Sequence, residues 1–307
     1  MAKHATAQER LFALRKTIAK LEGKAPTLVS EEQPQGEQKT KHIRFPHRVA
    51  MGLPDMDAAL DGGLPLDGIT EIRTSAMRNA GVGSGFVLAL AALIQRQAEA
   101  SALLWISDRF SNGEAGLPYS VGLAQYGLKI KHFLQATPRK LEEALWLAET
   151  AAASGALAAT ILEIRGNPSA FGLSESRRLS LRAKAARRPI LLLRHAGEEE
   201  ASSAVFRFRA EPGPASERVL PNGAMLGGSI GFPVFRLTLE KSRNPAPLSF
   251  TLEWNSRDRL FLLAQPPEPS RLSISGPTHS GTGLPAPADG SDRTPALGRL
   301  VAFGRAS

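Results

Sequence analysis

The 307-residue chain has no cysteine. That absence excludes a disulfide framework, a cysteine-ligated zinc or iron–sulfur centre, and thiol catalysis; it also suits a reducing compartment. Long apolar runs are missing too. The longest, Phe86 to Ile94, is about half of the ~20 residues that a membrane-spanning helix needs. From Met1 onward there is no apolar segment of the kind a secretory signal requires, so none is expected. The histidines do not group with carboxylates into a metal site: His42 and His47 sit in a polar stretch, and His132 and His195 read as structural residues near core strands. No serine has the histidine and aspartate company of a hydrolytic triad. Acidic residues are in deficit, 29 against 38 Lys+Arg, giving a formal charge of +9 and a sequence pI near 10.2. A soluble, cytoplasmic, basic protein is expected. Its charge suggests nucleic acid or an acidic partner only if it is concentrated in one place.

The charge is unevenly spread. Residues 1–48 hold 10 basic and 5 acidic residues, whereas 49–264 hold 24 and 21, so more than half of the excess lies outside the central part. Residues 1–24 read as an N-terminal amphipathic helix, because Leu11, Leu14, Ile18 and Leu21 recur on one face. This helix either packs on its own domain or docks on a partner. Residues 25–48 are polar and aperiodic and read as a linker. Residues 265–307 contain seven Pro, six Gly and six Ser and are expected to be a disordered tail. The end of that tail, with Leu300, Val301 and Phe303, turns apolar again, as a docking motif or simply as a frayed end.

Residues 49–264 alternate strands and helices. Strands are predicted over Ile69–Thr74, Ala102–Ser107, Lys131–Leu134, Ala158–Ile164 and Pro189–Leu193, and helices over Gly85–Glu99, Arg139–Ser154 and Ser174–Arg187. Runs apolar on both faces imply a mostly parallel sheet covered by helices. Four further strands, Val205–Arg209, Val234–Glu240, Ser249–Trp254 and Leu260–Leu263, follow without helices and imply an antiparallel C-terminal extension.

The segment from Met51-Gly52-Leu53-Pro54 through Leu60-Asp61-Gly62-Gly63-Leu64-Pro65 to Ile69-Thr70-Glu71-Ile72 resembles the entry to a RecA-type ATPase core. With the order of the later elements, the resemblance covers residues 49–264. It is most similar to the ImuA family, RecA-like accessory proteins of bacterial damage-induced mutagenesis. Supporting matches are Glu143-Ala144-Leu145-Trp146, Ser154-Gly155-Ala156-Leu157 and the ending Leu252-Glu253-Trp254. The resemblance implies an α/β RecA-like fold and a role in SOS-induced translesion DNA synthesis. It also implies partners: an ImuB-like Y-family polymerase homologue, an error-prone replicative-type DNA polymerase and, as a further candidate, RecA itself. Two alternatives stay open: a RecA-type DNA-dependent ATPase with a displaced phosphate loop, and a cell-division inhibitor related to the same fold.

A working phosphate loop needs Gly-x-x-x-x-Gly-Lys-[Ser/Thr] between strand and helix, so that backbone N–H groups and the lysine hold phosphate and the hydroxyl holds Mg²⁺. Here the segment holds Arg78, Gly81, Gly83, Ser84, Gly85 and Phe86, with Gly85 at the lysine position and Phe86 at the hydroxyl position. The expectation is a degenerate loop, no catalytic residues, no hydrolysis and no required cofactor. Residual ATP binding through the glycine backbone or Arg78 is the alternative.

Three further groups stand out. Glu163 ends a core strand and either orients a water or is a paired or solvated carboxylate. Lys241 and Arg243 resemble the basic pair that RecA-type proteins present to a neighbouring subunit. They are fingers, relics, a basic contact to a partner or DNA, or a solvated strand end. Arg177, Lys184 and Arg188 share one helical face and form either a stripe for DNA or a partner, or a solvated face. The connections where RecA holds DNA, Arg165–Leu173 and Arg194–Ala204, are short, and the second is acidic. Any DNA contact is therefore expected to be weak and sequence-independent.

Overall fold

The computed structural model describes residues 47–97, 102–220, 222–243 and 248–264. The predicted helix over 1–24, nearly all of the linker and the tail over 265–307 lie outside the described residues. Arg48, expected to be the last linker residue, is already ordered. It pairs within a small antiparallel sheet of β1 (Arg48–Val49) and β2 (Leu64–Pro65), and its guanidinium donates to the carbonyls of Leu60 (2.6 Å) and Gly63 (2.9 Å).

Between these strands lies a short helix, α1 (Pro54–Ala59), started by a proline whose missing N–H costs nothing there. The Asp57 carboxylate reaches back to the Met51 and Gly52 amides at 2.7 and 3.1 Å. Gly63 has φ +122, and a Cβ there would fall into the Val49 backbone, so only glycine lets the chain turn toward the sheet.

Among the described residues, the main sheet has nine strands. These are β3 (Ile69–Arg73), β4 (Leu103–Ser107), β5 (Phe133–Ala136), β6 (Ala159–Arg165), β7 (Ile190–His195), β8 (Phe206–Pro212), β11 (Val234–Lys241), β12 (Leu248–Asn255) and β13 (Leu260–Leu263). A separate two-stranded ribbon, β9 (Arg218–Val219) with β10 (Met225–Leu226), lies between β8 and β11. The sheet order is β13-β12-β11-β8-β3-β7-β6-β4-β5. The six strands from β8 to β5 run parallel, and β11, β12 and β13 extend the β8 edge antiparallel. The expected α/β architecture, a mostly parallel sheet flanked by helices with an antiparallel C-terminal extension, is the one observed.

The helices α2 (Ala80–Gln97), α3 (Arg109–Ala115), α4 (Ser120–Gln125), α5 (Leu141–Ser154) and α6 (Leu173–Ala186) complete the layers. The apolar helix α2 packs on one face with Ile72, Trp105, Ile161, Leu193, Phe206 and Phe208. Helices α5 and α6 pack on the other with Ile106, Leu162, Ile164, Ile190 and Leu192. Strands β6 and β7 are covered on both sides, which explains their unbroken apolar runs. Helix α2 is long and apolar enough to cross a membrane by length and composition, but it is mostly buried inside the domain.

Most predicted elements are observed within one to three residues of their expected ends. The main correction is at α2, which starts at Ala80 and not at Gly85. Another is at β5, where a 3₁₀ turn over Ile130–His132 takes the residues expected to begin the strand. The short helices α1, α3 and α4 were not anticipated.

Candidate functional site

In a parallel sheet the crevice beyond the carboxyl ends of the strands is where chemistry collects. Here that region is bounded by the connection from β3 to α2. Only Thr74, Ser75 and Ala76 separate the strand from a 3₁₀ turn over Met77–Asn79, which runs directly into α2. The expected open loop is therefore absent, and Gly81, Gly83, Ser84 and Gly85 lie inside the helix.

The glycines serve close packing. A Cβ on Gly83 would stand 2.7 Å from Thr74 Cγ2 and 3.1 Å from Leu193 Cδ1, so glycine lets α2 settle directly onto the sheet. A Cβ on Gly85 would lie within 3.0 Å of the Tyr126 hydroxyl and 3.3 Å from Phe235 Cε1. The space beside Gly85, expected at the lysine position, is thus filled by Tyr126, whose burial pushes its pKa up to about 12. Gly81, in contrast, faces open space, and Arg78 on the 3₁₀ turn is exposed.

Phe86, expected at the hydroxyl position, is fully buried. Its ring meets Phe208, Phe235 and Phe261 at centroid distances of 5.8, 5.6 and 5.8 Å. This is aromatic core packing, with no polar atom for a metal ion. Among the described residues, no group of three or more His, Asp or Glu side chains could hold a metal ion.

Glu163, on β6, is paired and not solvated. One carboxylate oxygen lies 2.8 Å from His195 Nε2 on the adjacent strand β7, and the other accepts from Trp105 Nε1 at 2.8 Å on β4. All three side chains are buried. The remaining ring nitrogen, His195 Nδ1, and the neighbouring Ser107 hydroxyl have no hydrogen-bond partner among the described residues.

On the opposite face, Glu71 from β3 takes Arg207 Nε at 3.1 Å and the Ser202 hydroxyl at 2.7 Å, and lies 3.4 Å from Arg194 Nε. Glu71, Arg194 and Arg207 are almost fully buried; one carboxylate faces two guanidiniums, and Glu200 and Glu199 supply further negative charge to Arg194 and Arg207. The same arginines tie down the connections after β6 and β7. Arg194 donates to the Gly166 carbonyl (3.2 Å) and Glu200 (3.0 Å), Arg207 to the Glu200 carbonyl, and Arg73 to the Gly197 carbonyl (3.0 Å). The Asn167 side chain bonds both Glu200 and the Glu198 amide at 2.8 Å. Arg73 also forms a bidentate pair with Glu240, at 2.5 and 2.6 Å.

Lys241 and Arg243 do not project as a pair. The strand slips register between Leu239 and Lys241, and the Lys241 ammonium turns inward to the Ser202 carbonyl at 2.6 Å. Burial and then the Arg207 charge lower its pKa, and Glu71 opposes them. Arg243 stays exposed.

On α6, Arg177 and Lys184 are exposed; Arg188, expected on the same helical face, instead lies past the helix end, after the left-handed Arg187, where it is half-buried and donates to the Gly155 carbonyl at 2.9 Å. Burial lowers the Arg188 pKa. The proposed docking residues Leu11, Leu14, Ile18 and Leu21, and Leu300, Val301 and Phe303, lie outside the described residues.

The sequence reading missed Tyr126, which sits 41 positions from Gly85 in sequence and meets it only in the fold. It also missed the Glu71–Arg194–Arg207 cluster; three charges within apolar strands were the available signal.

No known protein family and no curated protein matches the chain. Among solved structures the chain is similar to the RadB recombinase, with a TM-score of 0.47 at 14% identity, covering 71% of this chain and 100% of that one.

Proposed function

We propose that this protein is a non-hydrolysing adaptor built on a RecA-like core, acting in SOS-induced mutagenic translesion synthesis. The observation that carries the reading is the filled nucleotide position. Tyr126 covers Gly85, where the phosphate-binding lysine would stand, and Phe86 is locked into an aromatic core where the metal-holding hydroxyl would stand. Phosphoryl transfer depends on positioned positive charge and Mg²⁺ at those two places. The pinned connections after β6 and β7 support the same reading, because they leave no long loop to wrap DNA. By family resemblance, the partners are an ImuB-like Y-family polymerase homologue and an error-prone replicative-type polymerase, with RecA as a further candidate. Residues 1–24, predicted from sequence as a helix, and the 300–303 motif are the docking elements, in a cytoplasmic, nucleoid-associated complex.

Calorimetry with ATP and Mg²⁺ up to millimolar concentration should give no binding heat, and turnover should be absent with or without single-stranded DNA. Deleting residues 1–24 or 296–307 should weaken polymerase capture. Robust hydrolysis that disappears in Glu163→Gln would overturn the reading. A second reading, residual nucleotide binding without turnover, is favoured by exposed Arg78 beside the unobstructed Gly81. An Arg78→Ala change that abolishes any ATP heat would support it.

A further inference from the structure

Helix α6 packs on the sheet through Ser176, Leu179 and Ala183. Its first turn is fixed by the Glu175 carboxylate on the Gly172 amide at 2.9 Å. What it presents outward is unusual in composition. Leu173, Arg177, Leu181 and Lys184 follow at steps of four, four and three, so they form one stripe; Arg188 lies past the helix end, after the left-handed Arg187, and does not continue it. Leu173 is 54% exposed and Leu181 60%. Leu181 therefore lies between basic residues one turn to either side.

The positive charge of this face is not neutralised locally. Arg178 is clasped by Glu149 of α5, but Arg177, Arg182, Lys184 and Arg187 have no ion-pair partner among the described residues. On the neighbouring α5, one turn before Glu149, Trp146 is 67% exposed.

We propose that this stripe of α6 is a docking surface for an acidic amphipathic helical segment of a partner protein, with its apolar seam on Leu173 and Leu181 and its carboxylates on Arg177 and Lys184. Charge complementarity selects the acidic segment. The leucines select protein over nucleic acid: they are spaced about 12 Å apart along the helix, and a phosphate backbone has no apolar surface to bury against them. The inference deepens the adaptor reading by giving the chemistry of one partner, and it rests on that reading.

The test uses the full chain and three fluorescent probes. These are a synthetic 18-residue helical peptide with leucine at i, i+4 and i+8 flanked by glutamate, the same composition scrambled to remove the seam, and a 20-base-pair duplex. Anisotropy should show the seamed peptide binding at least ~10-fold tighter (about 1.4 kcal/mol) than the scrambled one. Leu181→Ser should remove that preference, and Arg177→Glu with Lys184→Glu should weaken both peptides. Equal binding of the two peptides, or no effect of Leu181→Ser in a protein with unchanged circular dichroism, overturns the proposal, as does tighter binding of the duplex. Absence of any Leu181-dependent peptide binding while polymerase capture stays intact sinks the stripe alone. ATP turnover sinks the adaptor reading and leaves the peptide result standing.

Discussion

Replacing Gly85 by alanine sets two effects of opposite sign against each other. Alanine in a helix interior is favoured over glycine by about 1 kcal/mol, and Gly85 lies in the second turn of α2. Against this, the added Cβ would lie within 3.0 Å of the Tyr126 hydroxyl and 3.3 Å from Phe235 Cε1. Neither ring can retreat freely, since Tyr126 is held half-buried over the helix and Phe235 is in the core. Overpacking of this kind costs about 1–3 kcal/mol. The single change should therefore be neutral to destabilising by up to about 2 kcal/mol. The informative measurement is a double-mutant cycle with Tyr126→Phe, which removes the hydroxyl and leaves Tyr126 Cζ, 3.3 Å away, as the nearest ring atom. With the clash relieved, helix propensity should win, and a coupling energy of about 1–2 kcal/mol is expected from urea unfolding. Gly81→Ala is the control: nothing lies within 4 Å of that position, so it should stabilise slightly. If Gly85→Ala stabilises the wild-type protein as Gly81→Ala does, and Tyr126→Phe adds nothing, the filled-site argument fails.

Three further outcomes are expected. Glu163→Ala leaves His195 and Trp105 Nε1 buried without their acceptor and should cost about 3–5 kcal/mol in chemical denaturation; a loss below about 1 kcal/mol would contradict the buried pairing. Glu71→Ala strands Arg194 and Arg207 and should cost a comparable amount, whereas Glu217→Ala on the exposed ribbon should change little in the same assay. Burial raises the pKa of the Glu253 carboxyl, so the fold disfavours its ionised form and ionisation weakens folding as pH rises through the carboxylate range. Glu253→Gln should therefore raise the melting temperature near neutral pH. The difference should close as pH falls below about 4, and a difference that grows on acidification would refute the sign.

The order and type of the larger elements were readable because the signals are local. Strands β6 and β7 are apolar on both faces, and α5 and α6 carry a clean 3.6-residue period. The start of α2 was misread because Gly81, Gly83 and Gly85 have the composition of a loop. Their actual reason is the closeness of Thr74, Leu193 and Tyr126, residues distant in sequence. The absence of lysine and hydroxyl at the site was legible from spacing, but what fills the space was not. Glu163 and His195 show the same limit: Glu163 lies two residues before the end of β6, inside the strand it was expected to end, His195 ends β7, and only the pairing of the two strands brings them to 2.8 Å. The inward turn of Lys241 follows from a bulge that no alternation pattern announces.

The clamp around Glu71 has a consequence in time as well as in shape. The Gly166 amide bonds the His195 carbonyl (2.7 Å), the Gly197 amide the Thr74 carbonyl (3.2 Å) and the Glu198 amide the Asn167 side chain (2.8 Å). These amides belong to surface connections, which ordinarily exchange their hydrogens by local opening within seconds to minutes. Buried Arg194 and Arg73 hold the carbonyls of Gly166 and Gly197 themselves. The Gly166 and Gly197 amides should therefore exchange more slowly than those of an unpinned loop, and the exposed Glu198 amide faster than either.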